Sequence, residues 1–566
     1  MAQTFKKDIE VLVVGAGPTG LVMAAEAARH GMHCRIIDKA QVPSDKSKAL
    51  AVQARTLEVF YAMGEGVIQE GINCGQPIHT MNAYAEGRLI AQIQFDGLDS
   101  PYPFPLILEQ SETERILGKH LEGLGLRIER QAELIGFKQD EECVIATVRH
   151  PGGDQEVLRS SWLVGCDGAH SVVRHILGLP FDGAAYEEEF VLADLQLDWS
   201  MPKAQGYFFF SNRGVMGVLP MSGEERYRLI ASRDKSAVRN YEDPTLEEVK
   251  ELFNARVPVH AELSDPLWLS GFRLHRRIVP KLRVGRVFLA GDAAHIHSPA
   301  GGQGMNTGIQ DAFNLAWKLA LFTKGAGNSI LLDSYHAERH PVAKAVLRGT
   351  NLLFVAFFSA NPIIINSIRV IAPLLLNREF FQSRFRNSLS ELGINYKKSP
   401  IVKDHRGDFF SFNGALPAGV RAPDGLVTLL SNKTTSSLFA LCRGTKHTAL
   451  FFSGVNPDLE SCRNLLNIAG TIQSKYGQYI NVYMILDSNA ISDDLDSGGT
   501  ILLDSDDSVH HKYKTRSECL YLVRPDGYIG FRSQPVNTEY LERYLSSILA
   551  NLRGSSLPHT DYYKGN

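Results

Sequence analysis

Paired cysteines, clustered tryptophans, long unbroken apolar runs and an excess of either charge are all missing from this 566-residue chain. Its 7 cysteines (Cys34, Cys74, Cys143, Cys166, Cys442, Cys462 and Cys519) are scattered, with no C-x-x-C pair and no His/Cys ligand spacing. That argues against a disulfide framework, dithiol chemistry and a metal site, and it fits a reducing cytoplasm. The 59 basic and 62 acidic residues leave a net charge of -3. No global field therefore draws the chain to nucleic acid or anionic lipid. The most apolar stretch, 352–376, is interrupted by Asn361, Pro362, Asn366 and Arg369. The pieces are shorter than the roughly 20 residues a membrane span requires, so no integral span is expected. Lys6 and Lys7 precede an apolar run, but Asp8 and Glu10 break it and a glycine loop ends it. On that pattern no signal peptide is expected.

Three stretches stand out against this plain background. Residues 9–14 are a strand-like run followed by Gly15-Ala16-Gly17-Pro18-Thr19-Gly20, then a helical pattern, then a second strand-like run ending in Asp38 and Lys39. This is the dinucleotide fingerprint in its structural context. The glycines permit a tight turn and close approach to a pyrophosphate, the helix N-terminus receives its charge, and the acid accepts from a ribose hydroxyl. The second stretch is a strand, 162–166, running into Asp167-Gly168-Ala169-His170-Ser171 and Arg174. The third spans 286–320: a short apolar strand, Gly291-Asp292, a Gly- and Pro-rich loop through Pro299, Gly302, Gly304, Met305 and Asn306, and a helical pattern. A glycine loop feeding a helix start suits negative charge.

Other residues carry two readings each. Arg55 follows a polar loop and either faces phosphates or lies on a solvated helix edge. Gln110 opens a helix, either as a cap or as an amide partner for a ligand's polyol chain. Between 181 and 277 short strands alternate, with an earlier piece at 77–105, and an antiparallel sheet is expected. Its Phe208, Phe210 and Met216 form either a packed sheet face or, with Pro299, the wall of a substrate pocket. From about residue 416 the composition shifts to a small α/β unit, with a hairpin turn at Arg524-Pro525-Asp526-Gly527.

In this order and spacing the three stretches resemble the single-component FAD-dependent aromatic hydroxylases of the p-hydroxybenzoate hydroxylase type. The run 390–400, Gly419-Val420-Arg421-Ala422-Pro423 and the 524–531 hairpin resemble the phenol, hydroxyphenylpropionate and polyketide hydroxylase branch. The resemblance implies an α/β fold: a Rossmann-like FAD-binding domain (1–76, 107–180 and 278–400, the last with a helical segment), an inserted antiparallel β-sheet substrate domain (77–106 and 181–277) and a thioredoxin-like domain (401–566). Without a C-x-x-C, that last domain is expected to serve packing or assembly, a homodimer among the options.

By the same resemblance Gly15, Gly17, Pro18, Thr19, Gly20, Asp38 and Lys39 hold the ADP half of FAD. Arg55 and Gln110 match family contacts to the phosphates and ribityl chain, while Lys48 stands where many members carry arginine. Asp167 is shared between FAD and incoming NAD(P)H. Gly291 and Asp292 meet the ribityl chain, Gly302, Gly304, Met305 and Asn306 the pyrimidine edge, and Pro299 the reacting face. The implied reaction is insertion of one atom of O2 into a phenolic or polycyclic substrate through a flavin C4a-hydroperoxide, with NAD(P)H as reductant. The flavin bears that chemistry, so no catalytic side chain is required; His297, Tyr207 and His275 are conceivable assistants. A halogenase is set aside, because Trp162, Trp199, Trp268 and Trp317 form no W-x-W segment. An epoxidase, a Baeyer–Villiger-type oxygenase and a non-catalytic carrier of the same fold stay open.

Overall fold

The apolar runs and the glycine turns between them settle into three sheet-centred units in the computed structural model. It describes residues 9–44, 49–211, 213–233, 243–298, 301–358, 378–406, 415–455, 457–487 and 501–550. In the first unit the strands Val287–Leu289, Gln155–Gly165, Ile9–Val14, Cys34–Asp38 and Ile128–Arg130 lie side by side and parallel. Both faces are covered, so these strands read as continuous apolar runs rather than alternating ones. Val11, Leu12, Val13, Leu163, Val164 and Phe288 are all fully buried. The helices Pro18–Arg29 and Gly304–Thr323 pack against each other.

The second unit is one sheet in the order His295–Ile296, Ala261–Ile278, Asp182–Trp199, Arg226–Ser232, Gly214–Pro220, Gln205–Ser211, Thr80–Ala85, Arg88–Gln94. It corrects the expectation of a wholly antiparallel sheet, because Gln205–Ser211 pairs with Thr80–Ala85 in parallel. Parallel neighbours need a long crossover, and the first-unit chain between them supplies it. The strand Ala261–Ile278 carries little sequence signal, since exposed Asp265, Pro266 and Arg276 break its alternation. Helix Leu246–Asn254 covers one face of the sheet, where Tyr207, Phe209, Met216, Val218 and Phe253 share a core.

The third unit orders its strands Lys403–Arg406, Ile529–Gln534, Cys519–Val523, His447–Phe452, Ile480–Asp487, Ile501–Asp504, Leu426–Leu429, Thr435–Ser437. It does not stand apart. Trp317 of the helix Gly304–Thr323 is buried in its core with Ala449, Phe451 and Leu520, its ring edge-on to His447 at 5.4 Å. All seven cysteines are free. The apolar stretch 352–376 begins in the helix Ile330–Phe358, where Leu352 is exposed; the rest of it lies outside the described residues. Among the described residues, no helix is long and apolar enough to cross a membrane, and no cluster of His, Cys, Asp or Glu is arranged to hold a metal.

Candidate cofactor site

Val14, Gly165 and Leu289 end neighbouring parallel strands in matched register, so the three glycine-and-acid stretches emerge together at one sheet edge. That carboxyl edge is where open α/β sheets bind ligands. The stretches also touch. Gly15 has φ +101°, and a Cβ there would stand 2.4 Å from the Cys166 carbonyl oxygen. Cβ atoms at Gly291 (φ +58°) and Gly308 would stand 2.6 and 2.4 Å from Thr19 Oγ1. The Thr19 hydroxyl is thus a peg between the third stretch and the helix after it, and its role is packing. At Gly17 a Cβ would meet nothing within 4 Å among the described residues. The helix Pro18–Arg29 starts there without a side-chain cap.

The acids hold this edge in shape. Asp38 Oδ2 accepts from the Ala16 N–H at 2.6 Å and Oδ1 from Ala40 at 2.7 Å, fixing the first loop, while Lys39 is exposed beyond it. Asp167 accepts from the Ser171 hydroxyl at 2.6 Å and the Val172 N–H at 2.7 Å. Burial raises its pKa, and those hydrogen bonds pull the other way. Arg174 donates to the carbonyls of Ala169 and Ala293, which ties the second stretch to the third. Asp292 is exposed on the turn Gly291–Ala293. Asn306 is spent within the protein: it accepts from Gln53 N–H at 2.8 Å and donates to the Ala51 and Gly302 carbonyls. Met305 and Gly304 are half-buried at the start of Gly304–Thr323, another helix with no side-chain cap. Pro299 and Lys48 lie outside the described residues.

Two expected contacts are corrected. Arg55 is neither on a solvated edge nor turned to a phosphate. It is buried, donating to Glu58 Oε2 at 2.8 Å and to the Asp526 carbonyl at 2.6 Å in the third unit. Met216 is no pocket wall: its register partner is Phe209, and both lie in the core under Leu246–Asn254. Strand side chains alternate, so Phe208 and Phe210 occupy the opposite face. There Phe208 lies over Gly217, where a Cβ would come within 3.0 Å of its ring. On that face too lie Phe190, Phe272, Leu274 and Ile230. Gln110 is the first residue of the helix Gln110–Gly123; its Oε1 accepts from Ala49 N–H at 3.2 Å and its amide donates to Glu114 at 2.9 Å.

The assistants sort by environment. Tyr207 donates to the Pro202 carbonyl at 2.7 Å, and burial pushes its phenol up. His275 is half-buried on Ala261–Ile278. His297 Nδ1 lies 2.8 Å from the Ser298 carbonyl oxygen, which can only accept, so Nδ1 carries the proton. Among the described residues its Nε2 is buried without a partner, near Gly304. Burial brings this imidazole down to about 4, which leaves a neutral acceptor rather than a strong base at pH 7.

Sequence reasoning did not anticipate the far side of Gly304–Thr323. Asn306, Thr307, Gln310, Asp311, Asn314 and Lys318 form a polar stripe, and all are buried. Asp311 Oδ2 accepts from Gly291 N–H at 3.1 Å and lies 2.7 Å from His295 Nε2; its Oδ1 takes Arg339 Nε at 2.6 Å. Burial alone would raise Asp311, but Arg339 and His295 outweigh it and lower the pKa. The available signal was the repeat of polar residues at helical spacing opposite an apolar stripe.

The residues present fit a flavin dinucleotide. Two uncapped helix N-termini, an open cradle over Gly17 and the unpartnered His297 Nε2 offer donors, space and an acceptor at one edge. Known proteins agree. Residues 8–350 match the family described as FAD binding domain. The chain is 32% identical over 562 residues to 6-methylpretetramide 4-monooxygenase of Streptomyces rimosus, covering 95% of this chain and 93% of that one. An anhydrotetracycline hydroxylase from Streptomyces rimosus superposes with a TM-score of 0.73 at 27% identity, over 96% of this chain and 99% of that one. Aklavinone-11 hydroxylase, solved with FAD and aklavinone, gives 0.74 at 25% identity over 95% and 98%.

Proposed function

This chain belongs to the FAD-binding family of flavin-dependent aromatic monooxygenases, and from that premise we propose that it places one oxygen atom of O2 on a phenolic or polycyclic aromatic ring at the expense of NADH or NADPH. The observation that carries the reading is the meeting of three ligand-shaped stretches at one sheet edge; the aromatic face of the second sheet is our proposed wall for the substrate. FAD, when bound, supplies the redox chemistry and the activated oxygen.

The chain's own residues bind and orient. Gly15 to Gly20 receive the pyrophosphate, with Asp38 fixing their loop. Gly291 and Asp292 face the ribityl chain, and the uncapped start of Gly304–Thr323 offers positive dipole to an anionic ring edge. The sheet face bearing Phe208, Ile230 and Phe272, backed by buried Phe190, supplies apolar area for a flat ring system and excludes water. Relatives named for 6-methylpretetramide and anhydrotetracycline, and one named for pentachlorophenol, put both polycyclic and single-ring aromatics among the proposed substrates. His297, neutral at pH 7, accepts a hydrogen bond from substrate or cofactor. In the third unit the central strands Ile529–Gln534, Cys519–Val523, His447–Phe452 and Ile480–Asp487, with only the last pair parallel, support the thioredoxin-like reading. We place the limits of the units at about residues 77, 107, 181, 278 and 401.

The test is a panel of phenols and polycyclic aromatics scored for substrate-stimulated NADH and NADPH oxidation, with product mass and labelled O2 confirming the inserted atom. Oxidation of NAD(P)H that no aromatic accelerates, with all oxygen recovered as peroxide, would overturn the proposal.

A further inference from the structure

The third unit carries no C-x-x-C pair, yet its hairpin makes a buried and highly charged contact with the first unit. Arg524 and Asp526 are 1% and 2% exposed. Arg524 donates to both oxygens of Glu338, at 2.6 and 2.9 Å, and to Asp526 Oδ1 at 2.9 Å. Asn314 donates to Glu338 at 2.7 Å and to Asp526 Oδ2 at 3.0 Å, and Lys318 donates to Glu338 at 2.7 Å. Burial would raise Glu338, but Arg524 and Lys318 outweigh it and hold the carboxyl well below its usual range. Arg421, from the same unit, pairs with Glu58 at 3.2 Å, and Arg55 reaches the Asp526 carbonyl. Every charge here is paired, which a dry interior demands.

These contacts end one helical turn from the cofactor edge. Asn314 follows Asp311 by three residues on Gly304–Thr323, and Glu338 precedes Arg339 on Ile330–Phe358. Asp311 and Arg339 are the pair that holds the Gly291 N–H and the Thr307 carbonyl. Nearer the helix start, Glu391 accepts from Thr307 at 3.1 Å and from Gln310. The buried polar stripe is therefore the seam by which the third unit grips the helix that begins at Gly304.

We propose that Asn314, Arg524 and Asp526 are positioning residues for the flavin: the hairpin fixes the axial place of Gly304–Thr323, and through Asp311 it sets the Gly291–Asp292 turn. The inference rests on flavin binding and not on which ring is hydroxylated. A native chain that binds FAD but oxidises no aromatic would overturn the proposed function and leave this test standing.

The test uses the full chain as apoprotein, titrated with FAD. Asn314→Ala removes the direct hydrogen bond from helix to hairpin without orphaning a charge, because Arg524 still holds Asp526 and Glu338 and Lys318 keeps Glu338. Asp526→Ala cuts it from the other side, and Asp526→Asn restores an acceptor. We expect Asn314→Ala and Asp526→Ala to raise the Kd for FAD about tenfold, or ~1.4 kcal/mol, the scale of one net hydrogen bond to a charged group. We also expect both to alter the visible circular dichroism of bound flavin, and Asp526→Asn to recover most of each change. Far-UV dichroism and a single melting transition verify the fold. Should Asp526→Ala not fold, Asn314→Ala decides alone. A folded variant that melts lower yet binds FAD with native Kd and native visible spectrum assigns the hairpin to stability only and overturns the proposal.

Discussion

Gly17 separates a glycine kept for the fold from one kept for a ligand. Its φ is -77° and ψ -178°, a conformation open to any L-residue, and a Cβ there would meet nothing within 4 Å. Gly15 is the contrast: φ +101°, with the Cys166 carbonyl oxygen 2.4 Å from a Cβ. Gly17→Ala should therefore leave the apoprotein as stable as before, or more stable by about 0.4–1 kcal/mol through the unfolded chain. The added methyl would occupy the space a pyrophosphate needs against the bare helix start. Losing two or three charge-assisted contacts of about 1.5–3 kcal/mol each predicts an FAD Kd raised by at least about 100-fold. Gly15→Ala should instead cost the fold itself, by about 1–3 kcal/mol from overpacking plus strain at positive φ. The assays are urea melts of both apoproteins and fluorescence titration with FAD. Native FAD affinity in Gly17→Ala would refute the placement of the phosphates. A destabilised Gly17→Ala apoprotein would refute the claim that the space is open.

Four further outcomes follow from the same geometry. Gly308→Ala should destabilise by about 1–3 kcal/mol, because its Cβ strikes Thr19 Oγ1; adding Thr19→Ala should relieve it, and additivity in a double-mutant cycle would remove the peg. Burial holds Glu391 up to about 7, above its unfolded value, so its contribution is complete at low pH and is lost as pH rises through about 7. Between pH 5.5 and 8 the wild type should lose about 2 kcal/mol that Glu391→Gln does not lose, read from paired urea melts. Asp292→Ala should weaken FAD retention by about 1.5–3 kcal/mol, and unchanged flavin content after gel filtration would count against its role. Finally, among the described residues Arg55 Nε, Gln310 Oε1 and Tyr528 OH are buried without partners around a void of about 10 Å³; a high-resolution crystal structure should show one ordered water bridging them, and an empty void would contradict this.

Local rules carried the sequence a long way. The glycine spacing with a strand before it and an acid after it, and two further strand-ending acids, marked the three stretches that the fold brings to one sheet edge, because turn chemistry and helix starts are written in adjacent residues. The lack of a C-x-x-C pair is legible for the same reason, and it is what led us to expect packing or assembly rather than redox work from the third unit. Arg55 and Met216 show where that reasoning stops. Whether an arginine one residue into a helix turns to a phosphate or to a hairpin 471 residues away depends on which unit docks beside it, and loop closure over such separations leaves no local trace. Met216 and Phe208 differ only in strand parity and in which face the helix Leu246–Asn254 covers. The polar stripe from Asn306 to Lys318 reads as a solvated helix face until Glu338, Arg339, Glu391 and Asp526 arrive from distant segments to pair with it. Thus the sequence by itself determined what binds and along which strands. Only tertiary structure decided which polar groups are spent holding the site together, because burying a charge demands a partner and the partners are remote in the chain.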